Sequence, residues 1–141
     1  MLASAMTGEA MAACSGTQIT SVSRPTLSRL LTGNSMCQTW PEVAQEQHVS
    51  GGVLQDYKRG PFDAVDPTTS IGSWVVGGSG SRTTVKYTYG STSYYYQVFL
   101  VNGNPGETGS TYDFCTGGTV KATATFRPGF GSTGSYAPVC P

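Results

Sequence analysis

Charge is scarce in this chain: 141 residues carry eight acids and eight bases, a single histidine and no net charge. A nucleic-acid binder gathers Lys and Arg on one face or in runs, so this composition excludes that class. The only adjacent basic pair is Lys58-Arg59, with Asp56 close by, and a solvated loop accounts for that trio. No Cys-x-x-Cys spacing is present, which removes the usual zinc and redox motifs. No apolar run approaches the roughly 18 residues of a membrane-spanning helix. No Gly-x-Ser-x-Gly elbow occurs, and no cofactor or metal motif is recognisable. No cofactor is therefore expected.

Gly, Ser, Thr and Tyr fill the place that charge leaves. Low net charge with abundant aromatics argues for a folded domain rather than disorder. The length suits one core. Ala10-Met11-Ala12 has the small-x-small form cut by signal peptidase, so residues 1–12 are expected to be a signal-peptide remnant and residues 13–141 a single β domain. A competing reading takes Met11-Ala12-Ala13-Cys14 as a degenerate lipobox with lipid on Cys14. Either way the protein is expected to be exported, to the periplasm or the cell exterior.

The four cysteines, Cys14, Cys37, Cys115 and Cys140, are best explained as disulfides formed in an oxidising compartment. Of three connectivities, Cys37 with Cys115 and Cys14 with Cys140 is favoured, the first joining two expected strands and the second tying the termini. A loop of that length stabilises by roughly 4 to 5 kcal/mol in the chain-entropy relation.

Ser23 as N-cap, Pro25 in the first turn and Gly33 as the stop outline one short helix, with Leu27, Leu30 and Leu31 on one face. From Asn34 the period changes to two. Residues 35–40 and 43–48 read as strands, Ser50-Gly51-Gly52 as a turn, and residues 53–58 as the returning strand. Residues 62–70 read as a loop of turn formers, in which Asp66-Pro67 is better explained by turn chemistry than by calcium.

The second half alternates most clearly. Val85, Tyr87 and Tyr89 share one face, as do Tyr94, Tyr96, Val98 and Leu100, and then Val120, Ala122, Ala124 and Phe126. Gly77-Gly78-Ser79-Gly80-Ser81 precedes a strand without a following Gly-Lys-Ser/Thr, so it reads as a hairpin turn rather than a phosphate loop. Short turns between strands require antiparallel neighbours. The fold expected is all-β and mainly antiparallel: a small meander barrel or strongly curved sheet of roughly seven or eight strands, disulfide-stapled, with one short helix. The tail at 128–141 is rich in Gly, Ser and Pro, with its end pinned by Cys140.

Candidate site residues fall into two sets. Trp74, Tyr87, Tyr89, Tyr94, Tyr95 and Tyr96 are the ligand-binding candidates, with Tyr95 expected to face outward beside Gln97. Glu46, His48 and Asp56 are the polar candidates; on a strand Glu46 and His48 share a face about 7 Å apart, a spacing that suits a base and its orienting carboxylate.

Leu31-Thr32-Gly33-Asn34-Ser35-Met36-Cys37, then Gly52 before a strand, then Ile71-Gly72-Ser73-Trp74 opening a strand, resembles the pattern of small exported lipocalin-like (calycin-like) β-barrel proteins of unknown function. The resemblance covers roughly residues 30–115, and here the Gly-x-Trp step lies mid-chain rather than near the first strand. It implies a meander barrel whose mouth accepts a ligand. Inward aromatics without a catalytic constellation favour binding over enzymatic activity, the partner being a small apolar ligand in the mouth or a protein on the loop at 58–70. The alternatives are a surface-fibre or pilus subunit, suggested by low charge and Thr/Tyr-rich strands, and a small hydrolase or isomerase centred on His48.

Overall fold

Each stretch of period-two alternation becomes a strand, and from the second strand on each pairs antiparallel with the one that follows it, which makes the topology a meander. The computed structural model describes residues 13–41, 43–56, 69–129 and 140. Within them lie β1 (Thr17–Ile19), α1 (Leu27–Leu31), β2 (Asn34–Trp40), β3 (Ala44–Val49), β4 (Val53–Asp56), β5 (Thr69–Gly77), β6 (Thr84–Tyr89), β7 (Thr92–Asn102), β8 (Thr111–Thr116) and β9 (Thr119–Pro128). Strands β2 to β9 pair in sequence order, every pair antiparallel, and β9 returns to pair with β2. The result is a closed eight-stranded up-and-down barrel.

Strand β1 lies outside that circuit. The eleven-residue β7 pairs with β6 through its first half and with β8 through its second, while β1 takes Val98, Phe99 and Leu100 on the edge beyond β6. This strand was not foreseen, because three residues are too few to show a period. Strand β5 also begins at Thr69, so the expected loop ends earlier than residue 70. The signal-peptide segment, the loop at 57–68 with Asp63 and Asp66, and most of the tail lie outside the described residues.

The helix is shorter than its sequence signals predict. Thr26, not Ser23, is the N-cap, its hydroxyl accepting from the Arg29 amide at 3.3 Å. Ser23 is engaged elsewhere: its Oγ accepts from the Thr20 amide at 2.8 Å and donates to the Pro25 carbonyl at 2.8 Å. A proline also disfavours helical backbone at the residue before it, which delays the start. Gly33 does follow the C-cap, with φ of 77°, and its amide donates to the His48 carbonyl. One and a half turns have little stability of their own. Burial of Leu27, Leu30 and Leu31 holds α1 against one end of the barrel and closes that end.

All four cysteines are bonded, but in the pairs Cys14–Cys115 and Cys37–Cys140. The expected pairing fails for a geometric reason. Cys37 is on β2 and Cys115 on β8, and β9 runs between them. Strands two apart are separated by about 9 to 10 Å, beyond the ~7 Å Cα reach of a disulfide. Cys14 instead lies at the β8–β9 hairpin, where its amide donates to the Gly118 carbonyl. Its sulfur, bonded to Cys115, is not available for the lipid that the lipobox reading requires.

The outer face of β2 and β3 departs from the expected pattern of one buried and one wet face. Ser35, Cys37, Gln45 and Gln47 point outward by register and are nevertheless buried. Cys140 lies over them, its amide donating to Gln45 Oε1 at 2.9 Å.

Candidate functional site at the open end of the barrel

Register assigns the lumen. Antiparallel Cα partners share a face, so Met36, Glu46, His48, Leu54, Trp74, Tyr87, Tyr94, Tyr96, Phe114 and Phe126 point inward together. Five rings form a closed circuit around the interior. His48 meets Tyr87 at 5.5 Å between centroids, Tyr87 meets Tyr96 at 5.8 Å, and Tyr96 meets Phe114 at 6.2 Å. Phe114 meets Phe126 at 6.1 Å, and Phe126 returns to His48 at 6.4 Å. Most of these contacts are edge-to-face or tilted, the arrangement that ring quadrupoles favour. The circuit is a packed floor rather than a channel.

His48 belongs to that floor. It is fully buried, its Nε2 lies 2.7 Å from the Tyr87 hydroxyl, and Trp74 packs against it at 5.2 Å. Burial lowers its pKa to about 3; the backbone of Asn34 and Glu46 pulls the other way without giving Nδ1 a hydrogen bond of good geometry. The ring is therefore neutral near pH 7. Burial also pushes the Tyr87 phenol well up, with the Glu46 charge adding to it, so Tyr87 keeps its proton. Tyr87 donating to Nε2 is the arrangement that places the imidazole proton on Nδ1, facing those backbone groups. The expected orienting role of Glu46 is not seen, since Nδ1 has no hydrogen-bond partner among the described residues. A base with a pKa about 3 is poorly matched to proton transfer near neutral pH.

Trp74 is part of the same floor, 7% exposed, its indole N–H donating to the Val49 carbonyl at 3.0 Å. Above the floor, at the end away from α1, the inward-facing residues are no longer buried. Gln38, Ala44, Glu46, Gly72, Tyr89, Tyr96 and Ala122 are half-buried, and Tyr94 is 47% exposed. Among the described residues at this end, these are the inward ones that keep access to water.

Glu46 and Tyr89 meet across two intervening strands. The Tyr89 hydroxyl lies 3.3 Å from Glu46 Oε2 and 3.5 Å from Oε1. It reaches there because Gly72, on β5 between them, has no side chain: a Cβ at that position would meet Tyr89 Cδ1 at 3.3 Å and collide with the Thr88 carbonyl oxygen. The glycine of the Gly72-Ser73-Trp74 step thus makes the path for the tyrosine. Gly72→Ala is expected to cost ~3 kcal/mol, as overpacking against backbone does, visible as a lower urea midpoint at unchanged slope. An unchanged midpoint would contradict the role given to Gly72.

Tyr94 packs on Tyr89 at 6.0 Å between centroids, and burial together with the Tyr94 and Glu46 oxygens raises the Tyr96 pKa. The mouth therefore gathers Tyr89, Tyr94, Tyr96 and Glu46. Tyr95 stands on the other face as expected, 53% exposed, with Lys86 Nζ 5.7 Å from its ring centroid. Asp56 is the Cα partner of Glu46, and its side chain lies outside the described residues. Gln38, Ala44 and Ala122 were not among the sequence candidates, being small or neutral; their only signal is the alternation phase they share with their strand neighbours.

A cleft of about 180 Å³ opens at the helix end, between Leu30 and Asn34 on one side and Glu107 and Tyr112 on the other. The Tyr112 hydroxyl there already accepts from the Gly106 amide at 2.8 Å. Among the described residues no group of three or more His, Cys, Asp or Glu side chains is placed to hold a metal ion, and no helix is long and apolar enough to cross a membrane. No protein-family model, curated protein or solved structure matches this chain.

Proposed function

We propose that this protein is an exported, non-enzymatic binding protein that takes a small, mainly apolar ligand into the open end of its barrel, in the manner of lipocalin-like barrels. The observation that carries this reading is the contrast between two inward layers. His48, Leu54, Tyr87, Phe114 and Ala124 are buried, whereas Tyr89, Tyr94, Tyr96 and Ala122 above them keep access to water. Aromatic surface that stays accessible inside a concave wall is what a small ligand can cover. Two disulfides suit a chain that folds in an oxidising compartment. The fibre alternative is less well served, because the pairing of β9 with β2 leaves the β2–β9 circuit, among the described residues, without an end strand to offer a neighbouring subunit.

A neutral fluorescent probe such as N-phenyl-1-naphthylamine tests the reading. The wild-type chain should bind it saturably at one site. Ala122→Trp, which fills the mouth, should weaken binding at least tenfold, and Tyr94→Ala should weaken it several-fold. Tyr95→Ala, on the outer face, should leave it unchanged. Absence of saturable binding, or binding indifferent to Ala122→Trp, would remove the ligand from the mouth.

A further inference from the structure

The end of the barrel that α1 closes carries a cleft of its own. It measures about 180 Å³ and lies between α1, the end of β9 and the loop at 103–110 that joins β7 to β8. Leu30, Tyr112 and Phe126 are its buried lining, whereas Asn34, Glu107, Thr108 and Pro128 stand around it with access to water. Phe126 packs on Tyr112 at 5.3 Å between centroids and on His48 at 6.4 Å, so one ring serves both the cleft and the aromatic circuit.

The loop wall is held by its own hydrogen bonds. Ser110 is buried, its Oγ donating to the Asn104 carbonyl at 2.6 Å and accepting from the Asn104 amide at 3.0 Å. The Glu107 amide donates to the Asn104 carbonyl, and Glu107 Oε1 accepts from Asn104 Nδ2 at 3.0 Å. Gly106 rests on Pro25, where a Cβ would come within 3.3 Å of the proline ring. A wall ordered in this way costs a ligand little conformational entropy. Across the cleft the chain turns away after β9: the Gly129 amide donates to the Gly33 carbonyl, and its carbonyl accepts from Ser35 Oγ on β2.

The polar group of the buried lining is the Tyr112 hydroxyl. The residue is 1% exposed, and its oxygen accepts from the Gly106 amide at 2.8 Å. Burial raises the phenol pKa; the Gly106 amide pulls the other way and the Glu107 charge adds to the rise, so the phenol keeps its proton near pH 7. That O–H is a donor which an acceptor in the cleft can satisfy. Size sets the rest. An apolar cavity of roughly 150 Å³ takes up benzene, so this cleft suits one ring. Glu107 and Arg127 border it with opposite charges, which gives the rim no excess of either sign.

We infer that this cleft is a ligand site separate from the mouth, for an uncharged molecule the size of one six-membered ring that carries a hydrogen-bond acceptor. Leu30, Phe126 and Pro128 lie against the ring, and the Tyr112 hydroxyl donates to the acceptor. The inference does not depend on the reading of the mouth.

Pyridine and benzene differ in the acceptor and hardly in shape, and an NMR titration of the full oxidised chain near pH 7 follows both through the Gly106 amide signal. Both rings are expected to shift that signal saturably. Thr108→Trp, which fills the cleft, should weaken both at least tenfold, and Ala122→Trp, at the other end of the barrel, should leave both unchanged. Tyr112→Phe should weaken pyridine about fivefold while benzene stays within about twofold, which also shows that the cleft of the variant is formed. No saturable binding of either ring, or binding that Thr108→Trp leaves intact, would overturn the site. Loss of binding in Ala122→Trp would place the rings in the mouth and overturn it as well. Equal responses of pyridine and benzene to Tyr112→Phe would overturn the role of the Tyr112 hydroxyl, and with it the acceptor assigned to the ligand.

Discussion

Acidification from pH 7 to pH 4.5 should destabilise the wild-type protein by about 2.5 kcal/mol through His48 alone, and His48→Phe should remove that part of the pH dependence. The sign follows from proton counting. Folded His48 has its pKa lowered from 6.5 to about 3 by burial, so between those values the unfolded chain binds a proton that the folded chain does not. Stability therefore falls as pH drops through about 6.5 and goes on falling toward about 3, at ~1.4 kcal/mol per pH unit once well inside the window. The upper part of that window lies above the ordinary carboxylate range, which isolates the histidine. Urea melts at pH 7, 5.5 and 4.5 on wild type and variant give the test. His48→Phe will lose the Tyr87 hydrogen bond at every pH, so the slope, not the absolute stability, is the readout. Parallel slopes for the two proteins would mean that the ring is solvated and charged in the fold, contrary to its place in the aromatic floor.

The two disulfides should differ in what their removal costs, although they close loops of nearly equal length, with sequence separations of 101 and 103. Chain entropy alone assigns each roughly 4 to 5 kcal/mol. Cys14→Ala/Cys115→Ala should approach that figure, because Cys115 is fully buried and the bond ties the segment before β1 to the β8–β9 hairpin. Cys37→Ala/Cys140→Ala should cost less, about 2 to 3 kcal/mol. Releasing Cys140 lets water reach the outer face of β2 and β3, where Gln45 Nε2 and both amide atoms of Gln47 are buried without a hydrogen-bond partner among the described residues. Buried amides that regain water recover part of their desolvation penalty, which offsets the lost cross-link. Equilibrium denaturation of the two double variants under oxidising conditions decides the order. A larger loss for the Cys37–Cys140 pair would mean that the covering contacts at Cys140 stabilise more than the glutamine burial costs.

Much of the barrel is legible residue by residue. Tyr94, Tyr96, Val98 and Leu100 on one face and Tyr95 and Gln97 on the other follow from the period of two, because successive side chains on a strand must alternate whatever the fold. Glu46 and His48 share a face for the same reason. What alternation cannot supply is distance along the lumen. Glu46 and His48 are two residues apart on β3, yet one reaches the accessible mouth and the other is sealed in the floor. Only the tilt of the closed sheet and the rings arriving from β5, β6 and β9 make that difference.

The Gly72-Ser73-Trp74 step shows the same division. As a sequence pattern it resembles the lipocalin-like barrels, and Trp74 does enter the core. That Gly72 is required so that Tyr89 can cross β5 to Glu46 depends on a contact between residues 43 apart in the chain, which no local pattern encodes.

By itself, then, the sequence determined the all-β class, the antiparallel meander, the inward and outward faces of its strands, the leucine face of the helix and the bonding of all four cysteines. These are local properties, set by side-chain period, turn chemistry and cysteine spacing. Tertiary structure alone decided the closure of β9 onto β2, the disulfide partners that follow from it and the sealing of one end by α1. It also decided which of the described inward residues keep access to water. Those features depend on how many strands complete the circuit and on which strand separates two others, and that is a property of the whole sheet.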